Sequence, residues 1–325
     1  MASYLVRRIL SAAAILLIIT GVTFLLFFQV PRDPARMACG QLCTPESLAV
    51  IRHNMGIDQP VLVQFSQYVS GIFVGRNIGD TPCPAPCLGY SYVNQQPVLD
   101  LIAAKFPATL SVVVGVVAIF LTVGVGAGML AAWRRGTWID KVVSAFALVG
   151  AAVQIYWLGI VATYLLVDQS QLLPRPQYVP FVEDPAGWFG GLILPWAVCA
   201  IIYIATYSRY TRSSMIDTLG EEFVRTARAK GLPQRIVFFK YAFRGALTPI
   251  VTLLGLDLGV LLGGALITET TFNIPGMGQL AVKSVTEQDL PSMMAVTLVA
   301  ATALVLFTVV VDIAYALIDP RVRAS

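Results

Sequence analysis

Six long stretches of the chain contain apolar residues with almost no charge, and more polar segments separate them. A helix of about 20 apolar residues crosses the roughly 30 Å hydrocarbon layer of a bilayer, because each helical residue rises about 1.5 Å. The pattern therefore predicts an all-α polytopic membrane protein with six transmembrane helices. The predicted spans cover residues 9–28, 106–133, 142–167, 185–208, 245–268 and 290–311.

Composition excludes a soluble domain of the ordinary kind. Of the 325 residues, 57% are hydrophobic and only 12% are charged, whereas soluble domains carry about 25% charged residues. The first apolar stretch follows Arg7 and Arg8, but it is longer than the core of a secretory signal and lacks a small-x-small exit. We therefore expect an uncleaved first helix that anchors the chain.

Basic residues are divided unevenly between the two sides that six spans would define. The side that carries both termini holds fifteen Lys and Arg residues, and the opposite side holds seven against eleven acidic residues. The positive-inside rule then predicts a multi-pass protein of the plasma membrane with cytoplasmic N- and C-termini. The net charge of +4 hides this asymmetry. The asymmetry is a membrane signature, and we expect no nucleic-acid partner.

The segment between the first two spans, residues 29–105, is too long for a turn and contains eight prolines. Two short helices are expected within it. One runs from Pro45 to about Asn54 with Thr44 as its N-cap, and the other covers residues 61–74. The segment is predicted to form a small extracytoplasmic cap between helices 1 and 2.

Four cysteines lie in this cap, whereas Cys199 lies within the fourth span. An even number of cysteines on an oxidising face predicts two disulfides, with three possible pairings. A four-cysteine metal site is the alternative, which the oxidising compartment disfavours, so we expect no metal. The disulfide candidates are Cys39, Cys43, Cys83 and Cys87.

These features divide the chain into four predicted parts. They are an N-terminal anchor with the first span (1–28), the cap with paired cysteines (29–105), a transmembrane core (106–318) and a cytoplasmic tail (319–325). Within the core, a cytoplasmic loop covers residues 209–246 and an extracytoplasmic loop covers residues 268–291.

The loop between the fourth and fifth spans has a helical pattern of its own. Residues on one predicted face recur at spacings of three or four, and they are Ile216, Leu219, Phe223, Ala227 and Lys230. Gly231 is expected to end this helix in the left-handed conformation, and Pro233 to begin a second helix at its first position. The loop is either a basic amphipathic segment lying on anionic lipid or a docking surface for a partner.

A known family shares this loop sequence. Residues 222–232 resemble the coupling loop of binding-protein-dependent ABC importers of the dipeptide and oligopeptide branch. Arg225 and Thr226 replace the usual Glu and first Ala, whereas Ala227 and Gly231 match the family pattern. The residues that the resemblance assigns to the ATPase coupling helix are Glu222, Arg225, Thr226, Ala227, Arg228, Gly231 and Leu232.

The resemblance covers nearly the whole chain, including residues 4–9, 55–60, 242–249, 269–278 and 319–321. It implies the type I ABC importer fold and the first of two permease subunits in a bacterial importer. Implied partners are a paralogous permease, two subunits that bind ATP and Mg, an extracytoplasmic peptide-binding protein and a peptide substrate. It also implies a loop facing the binding protein, with Glu269, Phe272, Pro275, Gly276 and Gly278. Related importers carry nickel, glutathione or haem, so the cargo stays open.

The sequence contains few motifs for nucleotide binding or catalysis. It contains no Gly-x4-Gly-Lys-Ser/Thr loop, one histidine and no paired carboxylates within a span. We therefore expect a transport subunit without an ATPase of its own, without catalytic residues and without a cofactor.

A carboxylate lies at the midpoint of the fifth span, where it needs a polar cavity or a partner. Asp257 could line the translocation pathway, or it could form an interhelical hydrogen bond or an ion pair with another subunit. Gln154, Tyr156 and Trp157 are further candidates for the pathway. A gradient-driven secondary transporter using Asp257 is the alternative function, although the sequence shows no internal repeat.

Overall fold

The computed structural model describes residues 2–29, 33, 35–36, 44–55, 59–78 and 81–318. Within these ranges the fold is helical, with two small hairpins. The helices are α1 (Ala2–Phe24), α2 (Pro45–Met55), α3 (Val61–Val74), α4 (Val98–Ile119), α5 (Gly126–Trp133), α6 (Trp138–Ala152), α7 (Ile155–Thr163), α8 (Pro185–Leu219), α9 (Glu222–Ala229), α10 (Gln234–Ile236), α11 (Phe243–Leu262), α12 (Leu266–Thr271), α13 (Met277–Thr286) and α14 (Leu290–Ile318).

Wider π-helical turns continue four of these helices. They follow α1, α4, α7 and α10 and cover Leu25–Gln29, Phe120–Val125, Tyr164–Gln169 and Val237–Ala242. The π turns after α4 and α10 lead without a break into α5 and α11, so each of these pairs forms one long apolar helix.

The predicted membrane-spanning pattern is confirmed, with one correction. In the described part of the chain, five helices are long and apolar enough to cross a bilayer, and a bent pair brings the total to six. That pair is α6 and α7, whose axes differ by 99°. The prediction of one straight span over residues 142–167 was wrong, because Val153 and Gln154 are extended. Neither residue is a helix breaker, so the apolar pattern carries no sign of the bend.

The fifth span also ends earlier than the sequence predicts. It was expected to reach residue 268, but α11 stops at Leu262. Gly264 has a φ of +120°, which ordinary side chains rarely adopt. A separate short helix, α12, follows this turn and places Glu269 outside the span.

The expected helices of segment 29–105 are confirmed, and two antiparallel hairpins accompany them. The N–H of Ser47 donates to Thr44 Oγ1 over 3.2 Å, so Thr44 caps α2. Strand β1 (Arg76–Ile78) pairs with β2 (Thr81–Cys83), and β3 (Tyr90–Ser91) pairs with β4 (Gln96–Pro97).

One of the expected disulfides joins Cys83 to Cys87, so these two are not available as thiolate ligands of a four-cysteine metal site. Both cysteines are buried against Ile78, with Tyr90 and Tyr92 packed beside them. Cys39 and Cys43 lie outside the described residues. Cys199 is buried and forms no disulfide with a described cysteine.

The chain forms two compact units. The first comprises Met1–Thr109, Gly259–Thr270 and Pro275–Val309. Its core brings together apolar side chains of α1, α3, α4, α13 and α14. They include Phe24, Tyr68, Val98, Met277 and Met294.

The second unit comprises Leu110–Leu258, Thr271–Ile274 and Val310–Ser325. Helix α8 is its centre and packs against α5, α6 and the π turn that follows α4. Glycines allow this close approach: a Cβ at Gly128 would lie 2.6 Å from the carbonyl oxygen of Ser208. At Gly115, a Cβ would overlap the indole of Trp196, whose Nε1–H donates to the Ser111 carbonyl over 3.0 Å.

We expect Gly115→Ala to destabilise the protein, because the added methyl group displaces the buried Trp196 ring. Overpacking of this kind costs about 1–3 kcal/mol. Gly126→Ala is the matched control, since no atom lies within 4 Å of its added Cβ, and it should leave stability unchanged or raise it slightly. Thermal unfolding of both variants in detergent checks the comparison. Equal melting temperatures would contradict the close packing of α4 on α8.

Candidate functional site

Helix α9 is a short helix anchored by a small apolar cluster. Val224 and Ala227 are buried one turn apart against Val237, and Leu219 and Leu232 pack around them. The sequence pattern had placed Phe223 on the same face as Leu219 and Ala227 within one continuous helix. That assignment was wrong, because α8 ends at Leu219 and the chain turns before α9 starts a new helical phase.

The opposite face of α9 is exposed and carries a large apolar side chain among charges. Phe223 is 48% exposed, and Glu222, Arg225, Thr226 and Arg228 are exposed around it. The acidic residue lies at the N-terminus and Arg228 in the last turn, which complements the helix dipole. Such a face suits a protein surface that offers both an apolar pocket and charged groups.

The end of α9 follows the prediction at Gly231. Its φ is +74°, and its N–H donates to the Arg228 carbonyl over 2.9 Å. The N–H of Leu232 donates to the Ala227 carbonyl over 3.4 Å, which completes a Schellman ending. Pro233 is the N-cap of α10 and not its first residue, a shift of one position from the prediction.

Asp257 has a partner within its own unit. The hydroxyl of Tyr207 donates to Asp257 Oδ2 over 2.8 Å. Tyr207 is fully buried, and its ring centre lies 4.5 Å from that of Phe120, which also stacks on Tyr203. No pattern in the sequence pointed to Tyr207, since tyrosines in spans are common packing residues. An interhelical hydrogen bond thus exists at Asp257, and its place in a pathway stays a prediction.

The other pathway candidates lie at the bend of the broken span. Gln154 is the exposed N-cap of α7, and Tyr156 and Trp157 follow it in the first turn, both with exposed rings. Non-helical backbone at membrane depth persists where it is buried in protein or lines a water-filled cavity. Gln154 therefore lies at a bend of the broken span, and the surrounding sequence did not predict that bend.

Glu269 is fully buried and organises the turn that leads into α13. Its Oε1 accepts the Thr109 hydroxyl over 2.8 Å. Its Oε2 accepts the N–H groups of Gly278 and Gln279 over 2.7 and 3.1 Å. Met277 completes the helix start by donating its N–H to Thr109 Oγ1 over 2.8 Å. Glu269 thus serves as the N-terminal cap of α13, because Gly276 at the N-cap has no side chain to do so.

Burial raises the pKa of Glu269, and the hydrogen bonds that it accepts oppose this rise. Glycines leave room for the carboxylate. A Cβ at Gly276 would overlap it, and a Cβ at Gly278 would lie 2.5 Å from the Cα of Leu266.

The residues expected to face a binding protein are mostly interior. Glu269 and Phe272 are buried, as are Gly276 and Gly278, and Pro275 is half-buried. Phe272 lies against α7, where a Cβ at Gly159 would lie 3.3 Å from its ring. These residues therefore shape the interior of their segment, and their individual contact with a binding protein stays a prediction. Contact between the segment and a binding protein stays a prediction.

The N-terminal and C-terminal parts of the chain both match families of known proteins. Residues 124–324 match the family described as the binding-protein-dependent transport system inner membrane component. Residues 1–113 match the N-terminal family of the same membrane components.

Among similar proteins is a putative peptide transport system permease protein of Brucella abortus, 36% identical over 99% of both chains. A probable D,D-dipeptide transport system permease protein of Escherichia coli is 35% identical over 95% of this chain and 94% of its own. A glutathione transport system permease protein of Escherichia coli is 33% identical over 99% of both chains. With its spans and both family matches, this chain belongs to the inner-membrane permease components of binding-protein-dependent transport systems.

Proposed function

We propose that this protein forms half of the translocation pathway of an ATP-driven importer for dipeptides and oligopeptides. The names of the similar permeases support this cargo class, since two of the three refer to peptides or dipeptides. Glutathione, which the third name specifies, is itself a small peptide and is the nearest alternative cargo. Nickel and haem are the more distant alternatives.

The single observation that carries the ATP-driven mechanism is the exposed face of α9. Phe223 projects from a helix whose other side is fixed to the protein by Val224 and Ala227. A partner that binds Phe223 can therefore push or pull on the long helix α8 through a short, firmly packed connection. We propose that an ATP-binding subunit is this partner, and that two such subunits hold the ATP and Mg that this chain lacks motifs to bind.

The remaining partners follow from the family. A paralogous permease would supply the other half of the pathway, and an extracytoplasmic binding protein would deliver the peptide. The charge asymmetry of the sequence supports cytoplasmic termini in a bacterial inner membrane, with α9 on the cytoplasmic side. Segments 29–105 and 268–291 would then lie on the extracytoplasmic side.

Asp257 is the proposed polar group of the pathway. Tyr207 fixes one oxygen of its carboxylate, which leaves the other available to the cationic end of a peptide. In a gradient-driven secondary transporter, Asp257 would instead carry the coupling ion. Asp257→Asn separates the two mechanisms, because it should abolish gradient-driven uptake but only reduce ATP-driven uptake.

The test is peptide uptake by vesicles that contain both permeases and the ATP-binding subunits. We expect Phe223→Ala to lower uptake and the ATP hydrolysis that accompanies it about tenfold, as the loss of a buried aromatic anchor at an interface does. Lys240→Ala is the matched control, because it removes an exposed side chain from the same loop outside α9. It should retain uptake.

Two outcomes would contradict the proposal. Uptake that continues without the ATP-binding subunits would exclude an ATP-driven mechanism. Equal uptake by the Phe223→Ala and Lys240→Ala proteins would show that α9 is not the coupling surface. Because Phe223 is exposed, we expect its variant to keep the melting temperature of the parent protein, so a folding defect does not explain lost activity.

A further inference from the structure

A half-buried arginine in the hairpin segment has no hydrogen-bond acceptor for its Nε among the described residues. Arg76 lies at the start of β1, and its Cζ is 5.2 Å from the centre of the Tyr68 ring. Its Nε is buried without a hydrogen-bond partner, and no carboxylate among the described residues forms an ion pair with it. Burial lowers the pKa of Arg76, yet guanidinium stays protonated in proteins. Partial burial of a cation without a counter-charge among the described residues is unfavourable.

Two tyrosine hydroxyls beside this arginine are also unpaired. The Oη atoms of Tyr68 and Tyr92 are buried without a partner among the described residues. Burial raises the pKa of both phenols to about 12, so each is a neutral O–H donor at physiological pH. Tyr68 is held by the core of its unit, and Tyr92 packs against the Cys83–Cys87 disulfide cluster.

These three side chains line one cavity. It measures about 50 Å³ as the volume open to the centre of a water molecule. Among the described residues, the rest of its lining is apolar or neutral, includes Phe24, Leu88 and Met294, and contains no acidic residue. A single water needs about 10–15 Å³ on this measure. The space is therefore large enough for a small molecule of a few heavy atoms.

We propose that Arg76, Tyr68 and Tyr92 form a binding site for a monovalent anion of chloride or carboxylate size. One cation and two O–H donors match one negative charge and its acceptor atoms. The apolar walls disfavour larger or multiply charged ions. The anion supplies the counter-charge that no described carboxylate provides.

The site also explains why the two hydroxyls are present. If the cavity were only a packing defect, phenylalanine would fit the same rings, and losing an unpaired buried hydroxyl would be neutral or stabilising. Tyrosine is the better residue when an acceptor occupies the cavity. Tyr68→Phe with Tyr92→Phe therefore keeps the packing and removes two of the three anion contacts.

The test measures the melting temperature of the purified protein in detergent as bromide replaces the bulky 2-(N-morpholino)ethanesulfonate anion at constant ionic strength. We expect bromide to raise the melting temperature of the parent protein by about 2 °C or more. The increase should disappear in the double Phe variant. Arg175→Ala is the control, because Arg175 is an exposed cation that pairs with Asp168 at the surface, and it should retain the increase.

No increase in the parent protein, or the same increase in the double Phe variant, would overturn the proposal. Anomalous diffraction from bromide-soaked crystals gives an independent result. A bromide peak in contact with the Arg76 guanidinium supports the site, and an ordered water alone in the cavity overturns it.

The source of the anion is decided by two further probes, acetate and the dipeptide alanyl-alanine. Stabilisation by alanyl-alanine but not by its C-terminal amide would assign the site to a peptide carboxylate. Stabilisation by acetate and bromide, with no effect of the dipeptide, would assign it to a free anion. The peptide outcome rests on the proposed function, whereas the bromide result does not.

Discussion

Replacing Glu269 by alanine is expected to destabilise the protein by roughly 3 kcal/mol or more. The substitution leaves the Thr109 hydroxyl and the N–H groups of Gly278 and Gln279 without their acceptor. Each unpaired buried donor costs about 1–3 kcal/mol, and the vacated space adds a cavity term. The N-terminus of α13 loses its cap at the same time. Thermal unfolding in detergent measures the loss.

Glu287→Ala is the matched control for this prediction. Glu287 follows the other end of α13 and forms a surface pair with Lys283 over 3.6 Å. Exposed pairs of this kind contribute about 0–1 kcal/mol. If Glu269→Ala and Glu287→Ala melt at the same temperature, the buried network does not stabilise the turn.

The raised pKa of Glu269 predicts that the unfolding free energy of the protein depends on pH. Because burial raises the pKa of Glu269 in the folded protein, the native state holds this proton more tightly than the unfolded chain does. Its contribution to stability is therefore fully present below the ordinary value of 4.5 and is lost as the pH rises through the native pKa. The unfolding free energy of the parent protein minus that of Glu269→Gln should fall across this interval. A difference that rises with pH would contradict the direction of the shift.

Replacing Arg212 by alanine is expected to cost about 2–3 kcal/mol, since it leaves the buried carboxylate of Asp140 with one partner fewer on each oxygen. Arg212 Nη2 donates to Asp140 Oδ2 over 2.9 Å, and its Nε donates to Oδ1. Breaking a fully buried pair costs about 3–5 kcal/mol, and the partial exposure of Arg212 reduces that figure. The N–H of Gly136 remains as a donor to Asp140 over 2.9 Å.

A double-mutant cycle tests this pair. Asp140→Ala together with Arg212→Ala should recover part of the stability that Arg212→Ala loses, because no unpaired carboxylate remains. Arg209→Ala is the control on the same helix. Its guanidinium is exposed over Tyr210 at 5.7 Å, and its loss should cost less than about 1 kcal/mol. Additive effects of the two single changes would exclude a stabilising pair.

The features that follow from local pattern were predictable from the sequence. Long apolar runs mark the spans because a bilayer demands them, and Thr44-Pro45 and Gly231 mark helix ends because capping depends on residue type. The family resemblance at residues 222–232 also came from sequence alone. The orientation of the chain in the membrane stays a prediction.

The features that depend on contacts distant in the chain were not predictable. Phe223 and Val224 are adjacent in the chain and both are apolar. Val224 is the buried one because the chain turns after Leu219 and starts a new helix. In the sequence, Glu269 resembles a surface carboxylate. Its buried role depends on Thr109, which lies 160 residues away and donates a hydrogen bond to it. The bend at Gln154 has no local signal, and Tyr207 becomes notable only because Asp257 lies opposite it.

Helix α8 contains 35 residues without interruption, so it is about 50 Å long, well beyond the roughly 30 Å hydrocarbon layer. Its length makes it a lever arm. A tilt of about 5° about one end would displace the other end by about 4 Å, given 1.5 Å per residue. Close packing on glycines and the Arg212–Asp140 pair stiffen the arm, and Tyr207 lies along it. A tilt of α8 driven from near α9 would therefore displace Tyr207 and, through its hydrogen bond, act on Asp257.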